Sequence, residues 1–253
     1  MPETIYRLSA RRRRYLEAMG ITVAPAAAGV HAESAAISEP AQEVVGDFLT
    51  TSYPLPVEPT TALDLKSVST LDWPQLEAQV AACTACGLHK GRTQTVFGVG
   101  NREAQLLVIG EAPGATEDRQ GEPFVGRAGK LLDAMLLAIN LQRKEVFIAN
   151  IIKCRPPKNR DPSQEEAAAC RPYLQRQIEL IEPKVILAVG RIAAHNLLET
   201  EQAIGKLRGR VHTLGQHNLS VVVTYHPAYL LRNPKDKAKA WQDLKQVTQL
   251  MRQ

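Results

Sequence analysis

The 253-residue sequence is poor in aromatic side chains, which make up 5% of it, so any core must be aliphatic. It contains no run of about 18 apolar residues, which excludes a helical membrane span and leaves no membrane partner to expect. Arginines stand near the start at Arg7 and Arg11–Arg14, but no apolar stretch follows them, so no secretory signal is read there and the cytoplasm is the expected compartment. Cysteine is scarce: there are four, and without an export signal they are read as free thiols or metal ligands rather than disulfides. No Lys or Arg occurs between Tyr15 and Leu65.

That gap divides the chain. Residues 1–20 read as a short basic helix closed by Gly20, either a docking peptide for a replication or repair protein or a solvated end. Residues 21–70 are Ala- and Pro-rich and mildly acidic, with Pro25, Pro40, Pro54, Pro56 and Pro59 breaking any long element, and read as a disordered linker. Residues 71–253 form the expected folded domain. Charge is split the same way, with six basic against nine acidic residues in 1–75 and 25 against 17 in the rest. A basic folded part points to a polyanion, nucleic acid first, or simply to a soluble protein of high pI.

Within the domain, aliphatic runs at 105–110, 146–152, 185–189 and 219–224 read as buried strands. Helical patterns at 128–140, 164–181, 193–199 and 237–251 lie between or after them. Such alternation predicts an α/β protein with a mostly parallel sheet covered on both faces, and ligands gather at the carboxyl ends of such strands. Polar, Gly- or Pro-containing sequence follows each strand there.

Cys83 and Cys86 form a C-x2-C pair, and Cys154 and Cys170 follow far downstream. By count, four thiolates suit a zinc ion or an iron–sulfur cluster, and the irregular spacing fits a cluster better than a zinc ribbon. Four unrelated buried thiols are the plain alternative. At Gly110-Glu111-Ala112-Pro113-Gly114 a tight turn follows a strand, and Glu111 is either a solvated turn residue or a carboxylate aimed at a substrate. No phosphate-loop lysine follows, which disfavours a nucleoside triphosphate. His226-Pro227-Ala228-Tyr229-Leu230-Leu231-Arg232 reads as an apolar wedge with a phosphate-binding Arg, or as a helix start whose leucines enter the core. Phe124, between glycines, is a stacking face or a core plug. Asn150, at the end of an apolar strand, has the donor and acceptor needed to read a pyrimidine edge, or else it is a buried cap.

These motifs, GEAPGATED, GEPFVGRAGKLL, NIIKCRPPKNRDP and HPAYLLRNP, with the cysteine framework, resemble the family-4, iron–sulfur uracil-DNA glycosylases over residues 76–250. The resemblance implies a three-layer α/β/α sandwich around a four-stranded parallel sheet. It further implies a [4Fe–4S] cluster on Cys83, Cys86, Cys154 and Cys170, with zinc the alternative. Glu111 and His226 would be catalytic: Glu111 orients water and stabilises the cationic sugar, and His226 donates to uracil O2. Gly110, Ala112, Phe124 and Asn150 would bind the flipped base, Glu117 would exclude thymine's methyl, Leu230 would fill the vacated stack and Arg232 would hold the flank. The implied protein is a monofunctional, bacterial, nucleoid-associated enzyme of base excision repair, acting on uracil in single- or double-stranded DNA, with a monomer the simplest state. A non-catalytic iron–sulfur protein that binds DNA or scaffolds repair is the alternative. No His lies between Cys154 and Cys170, which argues against the branch that cross-links DNA, with His212 to be located.

Overall fold

The four aliphatic runs form β2 (Leu106–Gly110), β3 (Phe147–Asn150), β4 (Val185–Val189) and β6 (Leu219–Thr224), and these lie parallel in the order β3-β2-β4-β6. The computed structural model describes residues 13, 16, 17, 68–215 and 218–253, all within one compact unit. The sheet has six strands rather than the four expected. β1 (Val99–Gly100) pairs antiparallel with β3, and β5 (Val211–Leu214) pairs antiparallel with β6. Both additions are edge strands, and neither has the continuous apolar run that marks a buried strand: β1 has two residues, and β5 alternates exposed and half-buried positions.

Side chains alternate across the parallel centre and build two cores. Leu107, Ile109, Ala149, Ile186, Ala188, Val221 and Val223 face one side. Over them pack α1 (Trp73–Ala82), α4 (Gln164–Ile181), α5 (Arg191–Leu198) and α6 (Ile204–Leu207). Leu106, Val108, Ile148, Val185, Leu187, Val189 and Val222 face the other, covered by α3 (Arg127–Ala138), α7 (Pro227–Arg232) and α8 (Lys237–Leu250). The short α2 (Ala115–Gln120) follows the β2 turn. This is the three-layer α/β/α sandwich, its four parallel strands mostly aliphatic because both faces are covered.

Local signals start the helices where the sequence places them. Asp72 and Gln75 form a reciprocal capping box on α1, and Ser163 and Glu166 do the same on α4, satisfying amides that a helix start leaves open. The packed core reaches back to Val68, 1% exposed, three residues before the expected domain start. Of the expected basic helix only Arg13, Leu16 and Glu17 are described; all three are helical, and Leu16 is 1% exposed within the α3, α7 and α8 core. The rest of that helix, and the expected linker up to residue 67, lie outside the described residues. Among the described residues no helix is long and apolar enough to cross a membrane.

Candidate active site

A cleft of about 800 Å³ opens at the carboxyl ends of β2, β3, β4 and β6, and its walls include Glu111, Glu117, Phe124, Asn150, His226 and Arg232. The parallel register sets Gly110 of β2 beside Asn150 of β3. Beyond the ladder, the amide of Ile151 donates to the Gly110 carbonyl at 2.9 Å and that of Ile152 to the Glu111 carbonyl at 3.2 Å. The turn carrying Glu111 is thus pinned to the segment that follows Asn150. Asn150 is 2% exposed, yet its Oδ1 has no hydrogen-bond partner, and a buried acceptor left open on a cleft wall is costly unless a ligand supplies the donor.

Close packing explains the glycines. A methyl at Gly110 would fall 2.5 Å from both Asn150 Oδ1 and the Phe124 ring, so only glycine lets these two meet over the strand end. Phe124 sits in the left-handed region (φ 54°), and Gly129 lets its carbonyl approach α3, where a methyl would fall 1.7 Å away. Two side chains hold this loop. Glu117 Oε1 accepts from the amides of Val125 and Gly126, each at 3.0 Å. Arg143, paired with Asp133, donates to the carbonyls of Phe124 and Pro123. The Phe124 ring then lies 5.7 Å from the His226 ring, inclined by 30°.

His226 caps α7, its Nδ1 accepting the Ala228 amide at 3.1 Å. Burial, then the Arg232 charge, push its pKa down to about 4 against a smaller opposing pull from Glu117. At neutral pH the ring is therefore uncharged, and with Nδ1 used as an acceptor its proton is on Nε2. Glu111 moves the other way: burial, then the Asp161 carboxylate, raise its pKa to about 7, opposed by Arg191. Asp161 and Arg191 themselves pair at 2.6 Å.

All four cysteines line a second cavity, on the α1 and α4 side. Cys83 follows α1, Cys86 opens a short 3-10 turn, Cys154 follows β3 and Cys170 lies inside α4. Amides of Ala85 and Lys153 donate to the sulfurs of Cys83 (3.5 Å) and Cys170 (3.3 Å), and Arg92 donates to Cys154 Sγ at 3.2 Å and to the Cys83 carbonyl. Burial raises the Cys86, Cys154 and Cys170 thiols, the last to about 12, a shift that metal ligation reverses by replacing the proton. Among the described residues no three ligating side chains are grouped so as to hold one metal ion.

One site expectation is corrected. Leu230 does not face the cleft: it is fully buried among the α3 and α8 side chains, because α7 turns it inward, and Leu231 is the exposed leucine at 37%. Arg232 stands exposed at the rim, and Ala112 lines the wall beside Glu111. His212 is on the β5 edge, bonded to the Leu207 carbonyl, and does not line the cleft. Sequence reading missed Arg143, Asp161, Arg191, Arg92 and Lys153. Of these only Lys153 carried a signal, a lysine ending the apolar run NIIK before a cysteine.

A cleft at the strand ends of an α/β/α sandwich, with an open amide, an aromatic plate and a neutral imidazole on its walls, has the groups to stack on a planar heterocycle and hydrogen-bond its edge. Residues 97–245 match the model of the uracil DNA glycosylase superfamily, and the chain belongs to that superfamily. It is 44% identical to the type-4 uracil-DNA glycosylase of Archaeoglobus fulgidus, over 68% of this chain and 89% of that protein. With the type-4 enzyme of Thermotoga maritima it shares 45% identity, over 64% and 84%. A type-5 uracil-DNA glycosylase of Thermus thermophilus is 36% identical over 41% of the chain.

Proposed function

We infer that the protein is a monofunctional uracil-DNA glycosylase of the type-4 kind, which takes uracil flipped out of DNA and releases it by hydrolysis, leaving an abasic site for base excision repair. The observation that carries the reading is the convergence of Glu111, Phe124, Asn150 and His226, from four separate chain segments, on one cleft. The unpartnered Asn150 reads the polar edge of the base, and Phe124 stacks on its face. As the bond from sugar C1′ to base N1 breaks, its electron pair moves onto the uracil, and the His226 Nε2–H donates to O2 where that charge develops. A donor so placed is worth a factor of about a hundred or more. Glu111 steadies the positive charge at C1′ and orients the water whose oxygen bonds there. Its pKa of about 7 suits accepting that water's proton near neutral pH. Glu117, its Oε1 held by two loop amides, excludes a C5 methyl in this reading. Arg232 holds a flanking phosphate, and Leu231 supplies the wedge first assigned to Leu230.

The cysteine cavity suits a [4Fe–4S] cluster. Four cysteine sulfurs gathered round one cavity are the all-thiolate donor set that such a cluster takes, with zinc the alternative. Cys83, Cys86, Cys154 and Cys170 would hold it, and it would bolt α1, the loop after β3 and α4 together. The chemistry at the sugar needs no electron transfer.

The test is a uracil-containing oligonucleotide treated with protein and then alkali. A strand break that depends on both uracil and Glu111 is expected, together with iron and inorganic sulfide in the purified protein. Intact strands from a folded, iron-loaded sample would overturn the catalytic reading.

A further inference from the structure

Lysine is almost never fully buried without an anionic partner. Lys153 is 1% exposed, and the hydrogen bonds of its ammonium go to two neutral oxygens: the Asn150 carbonyl at 3.0 Å and Gln177 Oε1 at 2.6 Å. Gln177, fully buried in α4, is in turn anchored by donating to the Phe97 carbonyl at 3.0 Å. Among the described residues no carboxylate bonds to the ammonium. The groups beside it that become negative on ligating a metal are the cysteine sulfurs: Lys153 lines their cavity, precedes Cys154, and gives its backbone amide to Cys170 Sγ. A buried charge with only dipoles for company is unstable, whereas one beside a centre built on four thiolates is compensated.

The same residue closes a turn. Between Asn150 and Cys154, the amides of residues 151 and 152 hold the Gly110 and Glu111 carbonyls, and the Lys153 ammonium folds back on the Asn150 carbonyl. The Lys153 carbonyl accepts from the Val96 amide at 2.8 Å, tying the turn to the loop that follows the first cysteine pair. Five residues therefore run from a base-contacting side chain to a cysteine ligand, with the lysine, fourth of the five, bonded back to the first.

We propose that Lys153 is a positioning residue that couples the two sites: its ammonium is the buried counter-charge of the thiolate-held cluster, and its bond to the Asn150 carbonyl holds Asn150 in place to read the base. This rests on the glycosylase reading and on the cysteine centre being a cluster. It makes the cluster matter for base recognition without any electron passing to the substrate, since outer partners tune and orient such centres.

Two variants of the iron-loaded protein separate the charge from the tether. Lys153→Met removes both, so the cluster's midpoint potential, read by spectroelectrochemistry, is expected to move negative, because a nearby cation favours the reduced form. Inhibition by free uracil should also weaken by at least about fivefold, the worth of one hydrogen bond, while binding to uracil-free DNA stays unchanged. Gln177→Leu keeps the charge but frees the ammonium from its anchor: uracil inhibition is expected to weaken with the midpoint potential unmoved. A wild-type potential in Lys153→Met, or wild-type uracil inhibition in both variants, overturns the proposal. If Lys153→Met yields no folded protein, Gln177→Leu decides alone by the same uracil criterion. Wild-type protein inactive on uracil DNA would sink the glycosylase reading before any variant is made, whereas an active wild type with indifferent variants sinks only this coupling.

Discussion

The backbone amide of Ala228 donates to Nδ1 of His226 at 3.1 Å, and that bond decides which nitrogen of the imidazole carries the proton. With Nδ1 occupied as an acceptor and the ring kept neutral by burial, Nε2–H is the donor left for a developing oxyanion. His226→Ala is expected to lower kcat by about a hundred- to a thousandfold while uracil-free DNA binds as before. Single-turnover cleavage beside a binding titration checks both, and an equal loss of binding would assign His226 to affinity instead.

Glu111 must be ionised to act, and its pKa is raised to about 7 by burial and by Asp161. The plot of log kcat/KM against pH should therefore climb with pH and flatten above about 7. His226, with its pKa near 4, adds no limb at neutral pH. Asp161→Asn removes a charge that raises the Glu111 pKa and releases Arg191, which lowers it, so both effects move the acid limb to lower pH. A limb unmoved by Asp161→Asn would assign the profile to another group.

Leu230 and Leu231 are neighbours with opposite fates. Leu230→Ala empties a fully buried site and should lower stability by about 2–5 kcal/mol, seen as an earlier denaturant midpoint. Leu231→Ala should leave stability nearly untouched and slow cleavage of duplex uracil more than of single-stranded uracil, since only the duplex has a stack to be opened and filled. The reverse pattern would restore Leu230 as the wedge.

Leu16 is 1% exposed and packs with the core that holds Leu132, Leu230 and Leu244. Leu16→Ala should therefore cost about 2–5 kcal/mol of unfolding free energy in the full chain. An unchanged midpoint would restore the reading of residues 1–20 as a tether outside the fold.

The parallel centre of the sheet, the long helices and the types of residue needed for chemistry were legible in order along the chain. Aliphatic runs of strand length need two covered faces, capping residues mark helix starts, Glu111 and His226 stand next to a glycine and a proline where strands end, Asn150 is the last residue of its strand, and Phe124 follows a proline in a loop. The 67 residues between Cys86 and Cys154 hid how the thiols meet, because that depends on where α1 and the β3 loop pack. The edge strands were hidden because a half-exposed strand is made by its partner's hydrogen bonds, not by its own apolar pattern. Whether Leu230 or Leu231 faces outward depends on how α7 sits against α3 and α8, and a motif read as letters treats the two alike. Only tertiary packing could bury Lys153 between Asn150 and the cysteines, raise Glu111 and lower His226, since burial and neighbouring charge arise when distant segments close on one another. Local sequence thus set the elements and the chemical groups at their ends, and packing decided which groups share a cleft and which protons they carry.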